Sequence, residues 1–300
     1  MPSRMRCSTS ILGALLAWVT ITVGCATGHS SPKTASPEAW NLWQQRRLES
    51  IAGTNGWATL VGLLWIPEGR SLLGSEASAT LKLPAGRAPE VVGEIERVGS
   101  LVRFRASTEE APPIRISPES PTDEPPILTI GDLRMFVIVR GERLALRVKD
   151  SQAPTRTHFR GLKYFPYSAF WKVAAILDPP TPNQTVTITD VTGSSTQQPS
   201  AGVARFTLDG QRHTLEAVED DESHDLWFIF RDGTSGSTTY GGGRFLHAAK
   251  PGPDGVITLD FNFAYNPPCA FTPFATCPVP PRQNWIKVSI PAGEKRYAEH

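Results

Sequence analysis

"VARFTLDGQRHTLEAV", residues 203–218, carries the clearest local geometry in the chain. Apolar and polar residues alternate on both sides of Asp209-Gly210, a dipeptide favoured as a two-residue hairpin turn. Two strands and a tight turn are therefore expected. The rhythm recurs in "LRMFVIVRGERLALRVKD" (133–150), which turns at Gly141-Glu142 and sets Leu144, Leu146 and Val148 against Arg143, Arg147 and Lys149. "DLWFIFRD" (225–232) is apolar on both faces, as a central strand would be, and "GWATLVGLLWI" (56–66) is apolar enough to be buried. "SLVRFRA" (100–106) and "PIRIS" (113–117) read as short strands with a turn at "TEEAP" between them. The whole amounts to roughly a dozen strands with no alternation of strand and helix. The expected fold class is all-β, either one strand-rich barrel or sandwich or two packed β sub-domains. A break near "DSQAPTRT" (150–157) divides the body into 38–150 and 151–300.

One short N-terminal helix is expected. Ser36 can cap it, Pro37 suits its first position, and Glu38 complements the positive end of its dipole. Trp40, Trp43, Leu48 and Ile51 fall near one face, and Gly53 ends it, as in an amphipathic lid packed on a core.

Upstream, Arg4 and Arg6 precede the apolar run "ILGALLAWVTITV" (11–23), which is shorter than the ~20 residues that span a bilayer. Residues 1–24 thus read as a signal peptide. "TVGC" places small Gly24 before Cys25, the arrangement of a lipidated N-terminal cysteine, although Thr22 stands where leucine is usual. Simple secretion with cleavage near Ala26 is the alternative. Residues 25–37 are small and polar, a flexible tether. The expected location is the cell envelope, facing the periplasm, with membrane contact through the lipid alone. With 30 basic and 29 acidic residues the formal charge is +1, and no basic stripe offers a nucleic-acid surface.

Export changes the cysteine arithmetic. Cys7 leaves with the signal and Cys25 takes the lipid, so only Cys269 and Cys277 remain for the folded body. They enclose the loop 269–277, and a disulfide there would contribute about 2.5 kcal/mol. Two other readings stand beside that staple. Zinc spacing does not match, and no metal or other cofactor is called for. A nucleophilic cysteine would need a base, for which His158, His213, His224 and His247 are the candidates.

Just before this loop, "GVITLDFNFAY" (255–265) read as a strand puts Ile257, Leu259, Phe261, Phe263 and Tyr265 on one face. Asp260, Asn262, Ala264 and Asn266 take the other, which is either a solvated row or the lining of a ligand cavity. "RDGTSGSTTYGGGRFL" (231–246) lacks the features of a phosphate loop. Asp232-Gly233 should begin a turn, Ser237 to Tyr240 a strand, and Gly241 to Gly243 a bend. Arg244 is either an ion-pair partner of Asp260 or an anion-binding group beside it. "EDDESHD" (219–225) reads as a solvated hairpin end, and "FRGLKYFPYSAFW" (159–171) as aromatic core at the junction of the halves.

The stretches "DFNFAYNPPCAFTPFATCPVPP", "IPAGEK", "FRDGTSGSTTYGGGRFL" and "RGERLALRVKD…FRGLKYFP" resemble the bacterial domain of unknown function 1684 family, from about Trp40 to Lys295. Asp232, Thr234, Tyr240, Gly243, Arg244, Asp260, Asn262, Tyr265, Asn266, Pro267, Cys269, Cys277, Pro278, Asn284, Glu294 and Lys295 match positions typical of that family. The resemblance implies no established activity. The leading expectation is a small-ligand-binding module with Asp260, Asn262, Asn266, Arg244 and Tyr240 around its cavity. A hydrolase using Cys269 or an Asp260/Arg244 site, or an envelope scaffold, are the alternatives.

Overall fold

The computed structural model describes residues 37–107, 112–120, 123–221 and 223–297. Residues 1–36, on which the expected signal peptide, the expected lipid site Cys25 and most of the expected tether fall, lie outside these. Helix α1 (Pro37–Ala52) ends where the Gly53 amide donates to the Glu49 carbonyl. Trp40, Trp43 and Ile51 face inward as expected, but Leu48 is 43% exposed and Arg47 takes its place on the buried face. Positions 40, 43, 47 and 51 follow the three-and-four spacing of a single helical stripe.

A 3-10 turn at Trp57–Thr59 leads into β1 (Leu60–Trp65). Strands β2 (Gly69–Gly74), β3 (Leu81–Lys82), β4 (Gly93–Val98), β5 (Leu101–Ala106) and β6 (Ile114–Arg115) form a sheet of order β3-β2-β4-β5-β6. The chain then returns through β7 (Leu128–Ile130), β8 (Leu133–Arg140) and β9 (Arg143–Asp150), giving a second sheet of order β1-β9-β8-β7. The β8–β9 hairpin turns at Gly141-Glu142, with Arg140 paired to Arg143. Leu73, Ile95, Val102, Met135, Leu146 and Val148 pack between the two sheets as one apolar core.

After the short helix α2 (Pro154–Thr157) come β10 (Lys172–Asp178), β11 (Thr185–Asp190), β12 (Ser195–Leu208), β13 (Gln211–Glu219), β14 (Leu226–Phe230), β15 (Arg244–Ala248), β16 (Val256–Asp260) and β17 (Pro278–Val279). These make an eight-stranded sheet of order β15-β14-β13-β12-β10-β16, with β11 on β12 and β17 on β11. The β12–β13 hairpin turns at Asp209-Gly210, whose φ values of 49° and 72° are those of the expected tight turn. Opposite its β13 edge, strand β12 serves two further neighbours: residues 195–199 pair with β11 and residues 203–206 with β10. Gly202 makes the change of direction, with φ +122° and a carbonyl, that of Asp178, only 2.5 Å from where a Cβ would sit.

The sheet curls into a half-barrel whose edges meet beyond β16. There Phe245 and Tyr265 exchange backbone hydrogen bonds, each 2.9 Å. Phe228, Phe230, Phe261, Phe263, Leu215 and Leu259 fill the interior. Trp43 and Leu60 belong to this second core, so α1 and the start of β1 pack on the C-terminal half. The 159–171 segment is not core throughout. Tyr164 packs edge-on against Trp40 and Trp43, and Phe159 stacks on Tyr297, while Phe170 is 58% exposed. Among the described residues no helix is long and apolar enough to cross a membrane.

Candidate functional site

Strand β16 stops at Asp260 instead of running on to Tyr265. The Asp260 carboxylate accepts the Asn262 backbone N–H at 3.2 Å and its Nδ2 at 2.8 Å, capping a 3-10 turn over Phe261–Phe263. That turn breaks the alternation on which the two-faced reading depended. Asn262 is buried, donating through Nδ2 to the Ser168 carbonyl (2.9 Å) and accepting the Ser168 N–H at Oδ1 (3.0 Å). Burial pushes the Asp260 carboxyl above its ordinary range, against the hydrogen bonds from Asn262. Its second oxygen has no hydrogen-bond partner among the described residues.

Asn266 lies at a second hub. Its backbone N–H donates to Glu294 Oε2 (2.9 Å), its Nδ2 to the Lys295 carbonyl (2.8 Å), and its carbonyl accepts from Arg47 Nη2 (2.5 Å). Arg47 Nε closes the ring on Glu294 Oε1 at 2.7 Å, both side chains fully inside the protein. Arg244 makes its ion pair with Asp232 at 3.1 Å rather than with Asp260, and donates to the carbonyls of Ile290 and Ala292. Asp232 also accepts from Thr234 Oγ1 and from the Ile290 N–H at 2.7 Å. The expected strand from Ser237 to Tyr240 is absent, the 232–243 segment being turns around this carboxylate. Tyr240 donates its hydroxyl proton to the Cys269 carbonyl at 3.3 Å. The five sequence-derived candidates therefore have four different sets of partners. Most of those partners are main-chain atoms of segments 168, 266–269 and 290–295.

Cys269 and Cys277 are two thiols side by side. The Cys269 amide donates to Cys277 Sγ at 3.0 Å and the Cys277 amide to Cys269 Sγ at 3.3 Å. The hydrogen bond from Cys277 lowers the Cys269 thiol below its ordinary value, whereas burial raises Cys277 well above it. Of the histidines, His247 is buried with Nε2 2.8 Å from the Tyr265 hydroxyl, and His224 is exposed beside Glu219. Among the described residues no cluster of three His, Cys, Asp or Glu side chains is arranged to hold a metal.

Between the halves lies a cleft of about 260 Å³. The β8–β9 turn (Val139, Arg140, Gly141) forms one wall, and Ile188, Asp190, Thr196 and Gln198 of β11 and β12 form the other. Trp227, Thr276 and Pro278 line it too. Arg140 Nε donates to Thr276 Oγ1 at 2.7 Å, and behind it Arg147 Nη2 donates to the same oxygen at 3.4 Å. Alternation along β9 placed Arg147 on a solvent face, but that face is covered by the second half and Arg147 is only 7% exposed. Burial, with Arg140 alongside, pushes its guanidinium down to about 10. The sequence signal was a row of arginines on a strand otherwise patterned for a sandwich. What covers them lies over 120 residues away in the chain.

Residues 157–295 match the family described as Protein of unknown function (DUF1684), and the chain belongs to that family. A half-barrel member of a family defined by its motifs is the class that fold and sequence give. Among solved structures the chain is similar to an uncharacterized protein from Haloarcula marismortui determined by solution NMR. The two are 32% identical, the match covers 48% of this chain and 81% of that one, and the TM-score is 0.41. No curated protein matches the chain.

Proposed function

We propose that the protein is a small-ligand-binding module of the cell envelope, exported by residues 1–24 and anchored through a lipid on Cys25. The ligand sits in the cleft between the β8–β9 turn and the β11–β12 hairpin. The cleft itself carries this reading: it joins an apolar wall (Val139, Ile188, Pro278) to convergent polar groups (Arg140, Thr276, Gln198) at the seam of two packed halves. Such a combination is characteristic of small-molecule sites, and its volume suits a ligand smaller than the usual drug-sized occupant. Asp260, Asn262, Asn266 and Arg244 serve in this reading to hold the C-terminal half in shape.

The test is mass spectrometry of small molecules released from protein purified from its own envelope, for the natural chain and for Thr196→Trp. Thr196 is an exposed residue lining the cleft, and an indole there fills the space without entering either core. A stoichiometric small molecule that Thr196→Trp loses supports the proposal. Retention of that molecule by the filled variant, or no molecule at all, overturns it. Anchoring is tested separately, since Cys25→Ser should move the protein from the membrane to the soluble fraction.

A further inference from the structure

The hydrogen-bonding inventory of the cleft is one-sided. Thr276 Oγ1 accepts from both Arg140 and Arg147, which fills its lone pairs and leaves its own proton to be donated. Arg140 places Nε on Thr276 and Nη1 on the Val139 carbonyl, leaving Nη2 with no acceptor among the described residues. Among the described residues the buried Nε1 of Trp227 and Nε of Arg147 likewise have none. Among the described residues neither guanidinium has a carboxylate within ion-pair distance, although two like charges share one hydroxyl.

Asp190 is the acid of the cleft. Its Oδ1 is committed to the Thr192 amide and hydroxyl and to the Ser194 amide, closing the 190–194 turn. Counting Arg140 and Arg147 against Asp190 leaves one positive charge in excess. Buried charges are ordinarily paired, and among the described residues Asp190 alone faces the two guanidiniums of this half-open cleft, so an anion entering it would meet a net positive charge.

We propose that this cleft binds a small oxyanion, a carboxylate or a tetrahedral sulfate or phosphate, gripped by Arg140 and the Thr276 hydroxyl with Arg147 as charge behind them. The planar guanidinium of Arg140 matches two oxygens of either anion type. Val139, Ile188 and Pro278 leave room for a short apolar body on a carboxylate and offer nothing to a polar one. The proposal rests on the reading of the cleft as the ligand site and adds the sign of the ligand.

Isothermal titration calorimetry of the full chain tests it, with acetate, butyrate, sulfate and inorganic phosphate as probes and chloride holding the ionic strength constant. Saturable one-to-one binding of at least one probe is expected. Arg140→Gln should weaken it about tenfold or more, as expected for one lost charge-assisted hydrogen bond. Arg140→Lys keeps the charge and loses the fork, so it should fall between the two and guards against a folding artefact. Arg205→Gln, on the exposed Asp178 pair, should leave binding unchanged. Preference for butyrate over sulfate and phosphate assigns a carboxylate; the reverse assigns a tetrahedral anion. No saturable binding of any probe, or equal binding by Arg140→Gln, overturns the inference. If a neutral molecule is released from the natural chain and lost from Thr196→Trp, the site stands and only its charge preference falls.

Discussion

Replacing Glu294 by Gln tests whether the buried Arg47–Glu294 pair fastens helix α1 to the C-terminal segment. Glu294 Oε1 receives Arg47 Nε at 2.7 Å and its Oε2 receives the Asn266 N–H at 2.9 Å, so both oxygens are used as acceptors. A glutamine has one acceptor and one donor, and in either orientation its amide group faces a donor. The substitution also leaves the Arg47 guanidinium buried without its counter-charge. Breaking a buried pair in this way costs about 3–5 kcal/mol. At roughly 2–4 °C per kcal/mol for a chain of this size, Tm should drop by about 6–20 °C.

Arg47→Met should cost a similar amount, because it strands the carboxylate and leaves the Asn266 carbonyl without its donor. The double variant Arg47→Met/Glu294→Gln removes both charges but still leaves the Asn266 carbonyl without the donor that Arg47 supplied. Its loss should therefore fall short of the sum of the single losses by about 2 kcal/mol, without returning to zero. Urea unfolding followed by circular dichroism measures all four proteins. A loss below about 1 kcal/mol for Glu294→Gln, or additivity within about 0.5 kcal/mol, would refute the reasoning.

The remaining predictions concern single groups. Burial raises the Asp260 carboxyl, so the folded state holds that proton more tightly than the unfolded one. Stability from this group is present below the unfolded pKa and is lost as pH rises through the folded one. Asp260→Asn should then match the natural chain in acid and exceed it near neutral pH, and a parallel pair of stability–pH curves would contradict the assignment. Asp150 is the opposite case, held low mainly by its hydrogen bond from Arg87, so its contribution is present above the ordinary carboxylate range and lost as pH falls. Arg87→Met should flatten that acid limb in pH-resolved thermal melts. Cys269 should alkylate before Cys277 near neutral pH, and Cys277→Ala should slow it by removing the hydrogen bond that lowers its pKa. Peptide mapping reads the order, and a disulfide-linked pair in oxidised material would show instead that the two sulfurs close the 269–277 loop. Gly293 has φ +74° and a Cβ there would lie 2.2 Å from the Ala264 carbonyl, so Gly293→Ala should cost about 3 kcal/mol or more by chemical denaturation.

Strand content, the Gly141-Glu142 and Asp209-Gly210 hairpins and the placement of α1 were legible in the sequence. Each follows from contacts between near neighbours: alternation, a turn dipeptide that tolerates positive φ, a proline at a helix start. The family motifs were legible for the same reason, being contiguous runs. Reading the strand on past Asp260 failed because a carboxylate two residues from an asparagine can cap its own turn, and local side-chain capping competes with the sheet ladder. The partner of Arg244 could not be read because Asp232 and Asp260 are both acids at short range in the chain, and only the packing of 290–292 selects between them. Arg47 and Arg147 show the same limit from the other side. Period and charge together mark an arginine as solvent-facing, and each becomes buried only because a segment far along the chain, Glu294 for one and Thr276 for the other, folds over it. What the residues determine alone is local geometry, which depends on a few neighbouring dihedrals. Which charges end up inside, with or without a partner, depends on how the two halves meet, and that is a property of the tertiary fold.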